Sequence, residues 1–534
     1  MFPFKKKAIS TRPYRDSSVR SFGQWITKQD WNDVRSGLEV NNVVDDFNHE
    51  LKKAYQRSFP VTKSLLSVSD KPWMTHKVKS LMKMRDKAYK QKHSNSEQWL
   101  LLRNSVQSEI VKAKERYYRQ SVHDLKTCQP SQWHKNIKKL CKLNSRCSQI
   151  PGADNDPKAT AISINTHFAA ICSLLPPLDF SSLPTYLPAE KPPIIYHGQV
   201  HAALRKIKVS KSGHPNDLPA KLIKEFAIEL TEPLAHIFNK CIHDGIFPVV
   251  WKTAAITPIP KEKTVNSLDQ LRPIALTPIF ARVFESFIAK WIVDDIAEHI
   301  DKKQFGNVKG SSTVHYLVDL LRFVLEGLDK PGHYAYLSTI DFTKAFDRVN
   351  HNIVVKKLIE LGVRRSIIPI ICSFLTGRTQ TTKIGKHTSP PLSTTCGVPQ
   401  GTKLGPILFL ILVNDALSSY ENKWKYVDDL TIGEVVKRNQ LTTLQNTLDN
   451  LSVWCQQNDV LPKPAKCNLM RVCFLRNMEP PTNFILNNVQ LYVVPHLKLL
   501  GITIQDDLKW DIQCGKHCVQ SLSKTIHSLH SEEV

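Results

Sequence analysis

Residues Tyr336–Asp347 read YLSTIDFTKAFD and give the clearest indication of the fold. Its first residues, Tyr336 to Ile340, favour a β-strand, because β-branched and aromatic side chains fit a pleated surface. Asp341 follows at the end of this strand, where we expect an exposed carboxylate. From Asn350 to Gly362, apolar residues repeat at helical spacing, and the closing glycine suits a left-handed helix cap. The predicted local order is therefore strand, carboxylate, helix.

A second acidic motif, KYVDDLTIG, occupies Lys425–Gly433. Two β-favouring flanks surround Asp428 and Asp429, which predicts a hairpin with both acids at its tip. Adjacent carboxylates repel each other, so the pair needs a neutralising cation, or water at an exposed loop tip. If tertiary structure joins the pair to Asp341, the acids suit Mg²⁺, which binds one or two carboxylates plus substrate phosphates. Two such ions about 4 Å apart can activate a 3′-hydroxyl and stabilise a departing pyrophosphate.

Between these motifs lies a glycine-rich segment, CGVPQGTKLG over Cys396–Gly405, which leads into the apolar run Pro406–Val413. Its small residues permit close approach of the backbone. The segment is either a loop against a nucleotide or base pair, or a tight turn into a buried helix. This motif alone leaves both interpretations open.

Composition points to a nucleic-acid partner and to no membrane. The chain carries 73 Lys+Arg against 48 Asp+Glu, a formal net charge of +25, which attracts polyanions. The run Pro406–Val413 is far shorter than the roughly 20 residues of a membrane helix, so no transmembrane span is predicted. No apolar stretch follows the lysines of the N-terminus, so we expect an intracellular protein, in either nucleus or cytoplasm.

The cysteines do not indicate a disulfide scaffold. Twelve of them are scattered through 534 residues, and in a reducing compartment most should be buried thiols. One cluster has residue types that suit zinc: Cys514, Cys518, His527 and His530. Its gap before the histidines is shorter than in usual zinc fingers, so a polar helix face is the favoured interpretation.

Pattern and composition divide the chain into segments. Residues 1–150 are basic and mostly helical in pattern, and a stripe over Pro72–His93 predicts a helix whose lysine-rich face either binds nucleic acid or, more commonly, is solvated. Residues 151–198 are predicted to be a linker, because the prolines from Pro176 to Pro193 deny both helix and central strand. A compact domain is predicted from residue 199, with a short strand at an edge or turn over Ala254–Pro260.

The motifs together resemble those of the reverse transcriptases of non-LTR, LINE-type retrotransposons, with jockey-like elements nearest in character. The matching segments run in the family's order over about residues 199–512: Lys206–Gly213, Phe247–Lys252, Ile259–Lys261, Leu271–Ile274, Gln304–Gly306, Asp341–Asp347, Ser373–Arg378, Gly397–Gly401, Tyr426–Asp429, Leu499–Ile502 and Leu508–Trp510. An ordered run of this length is far more specific than any single motif. Tyr426-Val427 stands where Phe-Ala is frequent and Lys463 where Asn is frequent, which leaves the clade open.

The resemblance implies an α+β right-hand polymerase fold. Its parts would be a helical basic N-terminal extension (1–150), the proline-rich linker (151–198), fingers and palm (199–480), and a primer-grip region with a truncated thumb (481–534). Family members usually carry an endonuclease domain ahead of this region, and few residues follow Ile502. A truncated copy of an element is therefore expected.

The resemblance also implies residue roles. Asp341, Asp428 and Asp429 are implied to be catalytic and, with the carbonyl of Phe342, to bind two Mg²⁺ ions, which Mn²⁺ can replace. Phe346 matches the aromatic residue that excludes a 2′-hydroxyl. The remaining implied nucleotide-binding residues are Lys261, Arg272, Gln400, Gly401 and Lys466, the last as proton donor to pyrophosphate, and the implied primer grip is Leu499, Leu500 and Gly501.

The expected function is that of an RNA-directed DNA polymerase, a nucleotidyltransferase that uses an RNA template, a DNA primer and deoxynucleoside triphosphates. The alternative is a truncated, catalytically inactive remnant that only binds nucleic acid. An RNA-dependent RNA polymerase is disfavoured, because Phe346 would clash with ribose.

Overall fold

The computed structural model describes residues 6–67, 71, 73–92, 97–127, 150, 156–182, 191–209, 213–262, 264–481 and 483–515. The α-helices are α1 Asp16–Lys28, α2 Asn32–Ser36, α3 Val40–Ser58, α4 His76–Lys92, α5 Glu97–Thr127, α6 Pro157–Ile171, α7 His197–Arg205, α8 Ala220–Glu225, α9 Thr231–Asp244, α10 Val249–Lys252, α11 Ile279–Ile296, α12 Thr313–Leu328, α13 His351–Glu360, α14 Ile368–Leu375, α15 Gly405–Val413 and α16 Leu444–Gln457. Short 3₁₀ turns lie at Phe180–Ser182, Leu268–Gln270, Ala345–Arg348, Arg365–Ile367 and Pro464–Lys466.

The strands, numbered in the same way, are β1 Lys6–Thr11, β2 Thr62–Ser67, β3 Thr253–Pro260, β4 Leu271–Leu276, β5 His333–Ile340, β6 Arg378–Ile384, β7 His387–Thr388, β8 Leu392–Thr394, β9 Lys423–Tyr426, β10 Asp429–Lys437, β11 Asn468–Val472, β12 Ile485–Leu486, β13 Val489–Gln490, β14 Tyr492–Val493, β15 His496–Leu499 and β16 Ile502–Gln505. Helices and sheets are mixed along the chain, and most neighbouring strands are antiparallel. This is the content expected of the α+β class.

The chain divides into two compact units, one formed by residues 1–25 and 52–149 and the other by residues 26–51 and 150–534. This division differs from the segments drawn from the sequence, because residues 26–51 belong to the second unit. The contacts explain why: Asn41 accepts a hydrogen bond from the Val249 amide at 3.0 Å, and the Phe47 and Phe280 rings lie 5.7 Å apart.

The first unit contains a two-stranded antiparallel sheet of β1 and β2 and the packed pair of helices α4 and α5. The helix predicted over Pro72–His93 is confirmed as α4, in which Val78 and Ala88 of the apolar stripe are buried. Between the two helices, the buried Glu109 forms ion pairs with Lys77 at 3.0 Å and Arg116 at 2.9 Å. One carboxylate therefore joins the basic residues of both helices.

The second unit is built around a central sheet with strand order β14-β11-β5-β10-β9. β10 pairs antiparallel with β5, and Leu430 lies opposite Ile340. Helix α12 packs against this sheet, where Tyr316 and Leu320 join Leu337 in one buried cluster. The β15–β16 hairpin adds its own apolar residues to the same cluster. The hairpin is thereby held against the sheet that carries Asp341.

A second sheet has the strand order β4-β3-β6-β7, with β8 also paired to β6. β3 pairs with β4 from Ala255 to Pro260 but with β6 only from Thr253 to Ile256. Pro258 and Pro260 therefore lie in the half of β3 that has a partner on one side only. The strand predicted over Ala254–Pro260 is confirmed, with its prolines at an edge position where no ladder donor is lost.

The interpretation of residues 151–198 as one linker is wrong over Pro157–Ile171, which is helix α6. Pro157 sits in the first turn, where proline is tolerated, and Asp156 caps the helix by accepting from the amides of Lys158 and Ala159. Ile164 and Phe168 of α6 are buried against the second sheet. Burial of each such side chain is worth about 1.5–3 kcal/mol, which accounts for a folded helix ahead of the prolines.

Several other local predictions are confirmed. α13 begins after Asn350, whose side chain accepts from two backbone amides, and Gly362 follows it with a φ of 77°. The run Pro406–Val413 lies in the buried helix α15. Cys514 is exposed, while Cys518, His527 and His530 lie outside the described residues. Among the helices that the structure describes, none is long and apolar enough to cross a membrane.

Candidate active site

Asp341 lies at the end of β5, and the chain that follows it is tied to residues 461–463. The Lys463 amide donates to the Asp341 carbonyl at 2.7 Å, and the Thr343 amide donates to the Leu461 carbonyl at 2.7 Å. The thiol sulfur of Cys467 accepts from the Asp341 amide at 3.4 Å. These bonds fix the backbone on both sides of Phe342 without using the Phe342 carbonyl.

Asp428 and Asp429 lie at the tip of the β9–β10 hairpin, as predicted. Tyr426 pairs with Asp429, so Val427 and Asp428 form a two-residue loop. Of these two, Val427 has a positive φ of 61°, the arrangement of a type II′ turn. Glycine normally occupies that position, and a β-branched residue there is strained.

Residues of the Gln304–Gly306 motif support this turn. The side-chain oxygen of the buried Gln304 accepts from the amides of Gly306 at 2.9 Å and Val427 at 3.2 Å. A Cβ added to Gly306 would lie 2.6 Å from the Val427 nitrogen. Because Gly306 has no side chain, the turn that contains Val427 and Asp428 can pack against it.

The three carboxylates converge because β5 and β10 are neighbours. Asp341 directly follows Ile340, and Asp429 directly precedes Leu430, the residue paired with Ile340. Burial, followed by the charge of Asp341, raises the pKa of Asp428. Asp429 stays exposed as a residue, yet partial burial and the charges of Asp428 and Asp341 raise its pKa to about 6. The three acids thus repel one another, and a bound cation would relieve this repulsion.

A cavity of about 220 Å³ joins two of these acids to the predicted primer grip. Its walls include Asp341, Asp429, Lys466, Leu499 and Leu500. The remaining lining residues are Tyr316, Thr339, Ile340, Leu430, Thr431, Asn468, His496, Leu497 and Lys498. Residues 499 and 502 pair across the β15–β16 turn, where Leu500 and Gly501 have φ values of 47° and 93°. Asp428 is not part of this cavity wall.

Cations predicted to bind the triphosphate gather beside the acids. Arg272 is exposed on β4 and lies near enough to Asp428 to favour its charged form. The Lys261 ammonium donates to the Asp269 carbonyl at 2.8 Å. Burial and the charges of Lys344, Lys466 and Arg272 lower the pKa of Lys261, so these four side chains form one basic cluster.

The predicted nucleotide loop, Cys396–Gly405, lies beside the predicted aromatic gate, Phe346, because the Val398 amide donates to the Phe346 carbonyl at 2.8 Å. The Phe346 ring stacks on Phe409 with centroids 4.6 Å apart. The side-chain NH₂ group of Gln400 donates to the Asp347 carboxylate at 2.9 Å. The backbone carbonyl of Gln400 accepts from the backbone amide of Ala275 at 2.7 Å. Gly401 has a φ of 123°, and a Cβ there would lie 2.6 Å from the Ala275 oxygen. The tight turn into the buried helix α15 is therefore present, and contact of this loop with a nucleotide or base pair stays a prediction.

The donor set fits a divalent oxygen-binding ion in part. Asp341, Asp428 and Asp429 supply carboxylates, the ligands that Mg²⁺ and Mn²⁺ prefer. Within the described residues, however, no group of three or more His, Cys, Asp or Glu side chains is arranged to hold a metal by itself. Binding of two ions at this site stays a prediction, since substrate phosphates and water would have to complete the coordination.

Sequence reasoning missed several residues that shape the site. Lys344 has a φ of 50° and pairs with Asp269 at 3.0 Å, which places it in the basic cluster. Asp347 lies within a predicted motif but had no predicted role, although it is the partner of Gln400. Gln304 and Gly306 lie within another predicted motif, but their contacts with Val427 were not predicted. Lys344 and Asp347 lie close to Asp341 in the sequence, which could have indicated a role for them. The contacts of Gln304 and Gly306 with Val427 join distant parts of the sequence, so no local pattern predicts them.

Comparison with known proteins shows which protein family this part of the chain is similar to. Residues 259–504 match the family model described as "Reverse transcriptase (RNA-dependent DNA polymerase)". This part of the chain is therefore similar to reverse transcriptase domains. The resemblance to the enzymes of non-LTR retrotransposons, drawn from the motifs, is confirmed.

Two of the proteins that are similar in sequence to this chain come from Drosophila melanogaster. The probable RNA-directed DNA polymerase from transposon BS is 28% identical over 326 residues, 58% of this chain and 36% of the relative. The RNA-directed DNA polymerase from mobile element jockey is 28% identical over 324 residues, 58% of this chain and 35% of the relative. The chain thus spans about a third of the length of these relatives. Among solved structures, apo telomerase from Candida tropicalis is similar at 11% identity, with a TM-score of 0.34 over 54% of this chain and 66% of that chain.

Proposed function

We propose that this chain acts as an intracellular RNA-directed DNA polymerase of a non-LTR retrotransposon. It would add deoxynucleotides to a primer 3′-hydroxyl opposite an RNA template. The observation that carries this proposal is the single cavity lined by Asp341, Asp429, Lys466 and the turn at Leu499 and Leu500. The matched reverse transcriptase domain and the names of the relatives support the same reaction.

In the proposed reaction, the primer 3′-hydroxyl loses its proton to water, its oxygen forms a bond to the α-phosphorus of the nucleotide, and the bond from that phosphorus to the oxygen bridging the β-phosphate breaks to release pyrophosphate. Asp341, Asp428 and Asp429, with the Phe342 carbonyl, would hold two Mg²⁺ or Mn²⁺ ions. When bound, these ions lower the pKa of the attacking hydroxyl and stabilise the charge on the departing group. The acids hold the reacting groups at one strand end, and Lys466 gives a proton to the pyrophosphate.

The other residues bind and select the substrate. Lys261 and Arg272 grip the triphosphate, since both belong to the basic cluster beside the acids. Phe346 lies beneath the sugar and excludes a 2′-hydroxyl, because its ring is held by stacking on Phe409. Gln400 and Gly401 contact nucleotide and template, while the Leu499–Gly501 turn holds the primer terminus.

In this proposal the second sheet is part of the fingers, and the central sheet apart from its edge strand β14 is part of the palm, together within residues 199–480. Residues 481–534 contain the primer grip and part of a thumb, and the basic helical extension is the first unit, residues 1–25 and 52–149. The second candidate function is nucleic-acid binding without catalysis. The net charge of +25 supports nucleic-acid binding in either case.

Primer extension with an RNA template separates the two functions. The purified chain should extend a DNA primer in Mg²⁺ or Mn²⁺. Asp428→Asn should bind the RNA–DNA duplex equally well but extend it roughly a thousandfold more slowly, since a charge at the metal site supports several kcal/mol of transition-state stabilisation. Asp449→Asn, a change at an exposed carboxylate of α16, serves as the control and should extend normally. A chain that binds the duplex but extends it with neither ion would be a binding protein only.

A further inference from the structure

Asp347 is a buried carboxylate beside the site, and it has no role in the proposed reaction. It lies in the 3₁₀ turn Ala345–Arg348, and only 7% of its surface is exposed. Burial raises its pKa, while the hydrogen bond from Gln400 and the charges of Lys344 and Lys261 oppose that shift. A buried carboxyl group is costly unless it makes compensating contacts, so its contacts indicate what it does.

The side-chain contact of Asp347 is with the nucleotide loop. The Gln400 amide nitrogen donates to its carboxylate at 2.9 Å. An ionised carboxylate can only accept hydrogen bonds, so Gln400 must turn its NH₂ group toward Asp347. The amide carbonyl and one remaining N–H of Gln400 are then left for other partners. This one bond therefore sets which chemical groups Gln400 offers.

The backbone of the loop is already fixed by other bonds. The amides of Gly397 and Val398 donate to the carbonyls of Val349 at 2.9 Å and Phe346 at 2.8 Å. The approach is close, since a Cβ added to Gly397 would lie 2.5 Å from the Asp347 carbonyl oxygen. What the backbone bonds do not determine is the orientation of the Gln400 side chain. That orientation depends on the Asp347 carboxylate.

We propose that Asp347 is a positioning residue for nucleotide binding, which acts by holding the Gln400 side chain in one orientation. The inference rests on the proposed polymerase function, in which Gln400 contacts the incoming nucleotide. Asp347 also directly follows Phe346 in the same turn, so one short segment carries both the sugar gate and the residue that orients Gln400. Asp347 itself touches no substrate in this proposal.

Steady-state extension kinetics test the role of Asp347. Asp347→Ala should raise the KM for deoxynucleotide roughly tenfold, the scale of a lost hydrogen bond to a charged group, and change kcat by about twofold at most. Asp347→Asn keeps an oxygen that accepts from Gln400 and should rescue the KM to within about twofold of wild type. Gln400→Ala should match Asp347→Ala, and combining both should add nothing further, because the two residues act as one unit.

A control variant and a second measurement complete the design. Asp295→Ala removes another largely buried carboxylate, which pairs with Arg364, and should lower thermal stability without changing KM. Selective ¹⁵N-glutamine labelling reports on Gln400 without catalysis, with its side-chain signal identified by loss in Gln400→Ala. That signal should shift in Asp347→Ala and stay near its place in Asp347→Asn.

Failure of the inference and failure of the polymerase function give different results. An unshifted Gln400 signal in Asp347→Ala, or an unchanged KM in an active enzyme, overturns the role of Asp347. A KM that rises equally in Asp295→Ala also overturns it, since the effect would then be general destabilisation. A wild type that never extends primers overturns the proposed function, and the Gln400 signal alone then decides whether Asp347 holds that side chain.

Discussion

Gly306 leaves the space that the backbone of Val427 occupies. A Cβ at position 306 would lie 2.6 Å from the Val427 nitrogen and 2.7 Å from its Cγ2 atom. Backbone atoms cannot yield as the end of a flexible side chain can, so the turn that presents Asp428 depends on a glycine in a distant part of the sequence.

We therefore expect Gly306→Ala to displace this turn while the chain still folds. An error of about 1 Å at reacting groups can cost on the order of a hundredfold in rate, so primer extension should slow by about tenfold to a hundredfold. Overpacking should also lower the free energy of unfolding by about 1–3 kcal/mol. Gly198→Ala is the matched control, because a Cβ there meets no atom within 4 Å. Equal activities of the two variants would falsify the link between Gly306 and the acids.

Phe346→Ala should change sugar selectivity without removing a carboxylate. The substitution opens space where the ring now stacks on Phe409, so ribonucleotide use should rise relative to deoxynucleotide use even as total activity declines. Single-nucleotide extension of a DNA primer on RNA, with each nucleotide type in turn, measures this ratio. Phe346→Tyr retains the ring and should retain the discrimination. If the alanine variant discriminates as the wild type does, the gate lies elsewhere.

The pKa of Asp429, raised to about 6, predicts a pH dependence of stability in the absence of divalent cations. Because an unfolded Asp titrates near 3.9, the folded state binds this proton more tightly, and ionisation destabilises it. The wild type should therefore lose stability relative to Asp429→Asn as the pH rises from about 4 to about 6, with the difference constant above that range. Chemical unfolding of both proteins across this pH range measures the difference.

Addition of Mg²⁺ provides the control for this pH effect. At pH 7 the ion should stabilise the wild type more than Asp429→Asn, since it neutralises the repulsion among the acids. A stability difference that is independent of pH and unaffected by Mg²⁺ would show that Asp429 titrates normally and lies apart from any bound ion.

The net charge of +25 predicts salt-sensitive binding to single-stranded RNA. The logarithm of the binding constant should fall linearly with the logarithm of salt concentration, with a slope of about −0.7 for each phosphate neutralised. A titration with the full chain measures the slope, and a slope near zero contradicts the electrostatic account. Replacing the exposed Lys83, Lys87 and Lys90 of α4 by Gln then decides between the two interpretations of that helix, because a solvated face predicts an unchanged slope.

Local patterns predicted the segments of the site correctly. The β-favouring residues before Asp341 and the helical spacing after Asn350 were sufficient for β5 and α13, since both depend on neighbours in sequence. The same holds for the hairpin around Asp428. The linker was misplaced over Pro157–Ile171 because prolines further along the chain dominated the composition, while the burial of α6 depends on a sheet formed much later in sequence.

Residue type and order in the sequence were sufficient to predict candidates for the chemistry, namely the acids, the cations and the glycine-rich loop. How these residues meet depends on the tertiary structure. The register that pairs Ile340 with Leu430 brings Asp341 beside Asp429, and packing of the β15–β16 hairpin closes the cavity around them. Contacts between residues far apart in sequence, such as Gly306 with Val427 and Asp347 with Gln400, leave no periodic trace, because they depend on close approach of backbones that separate elements position.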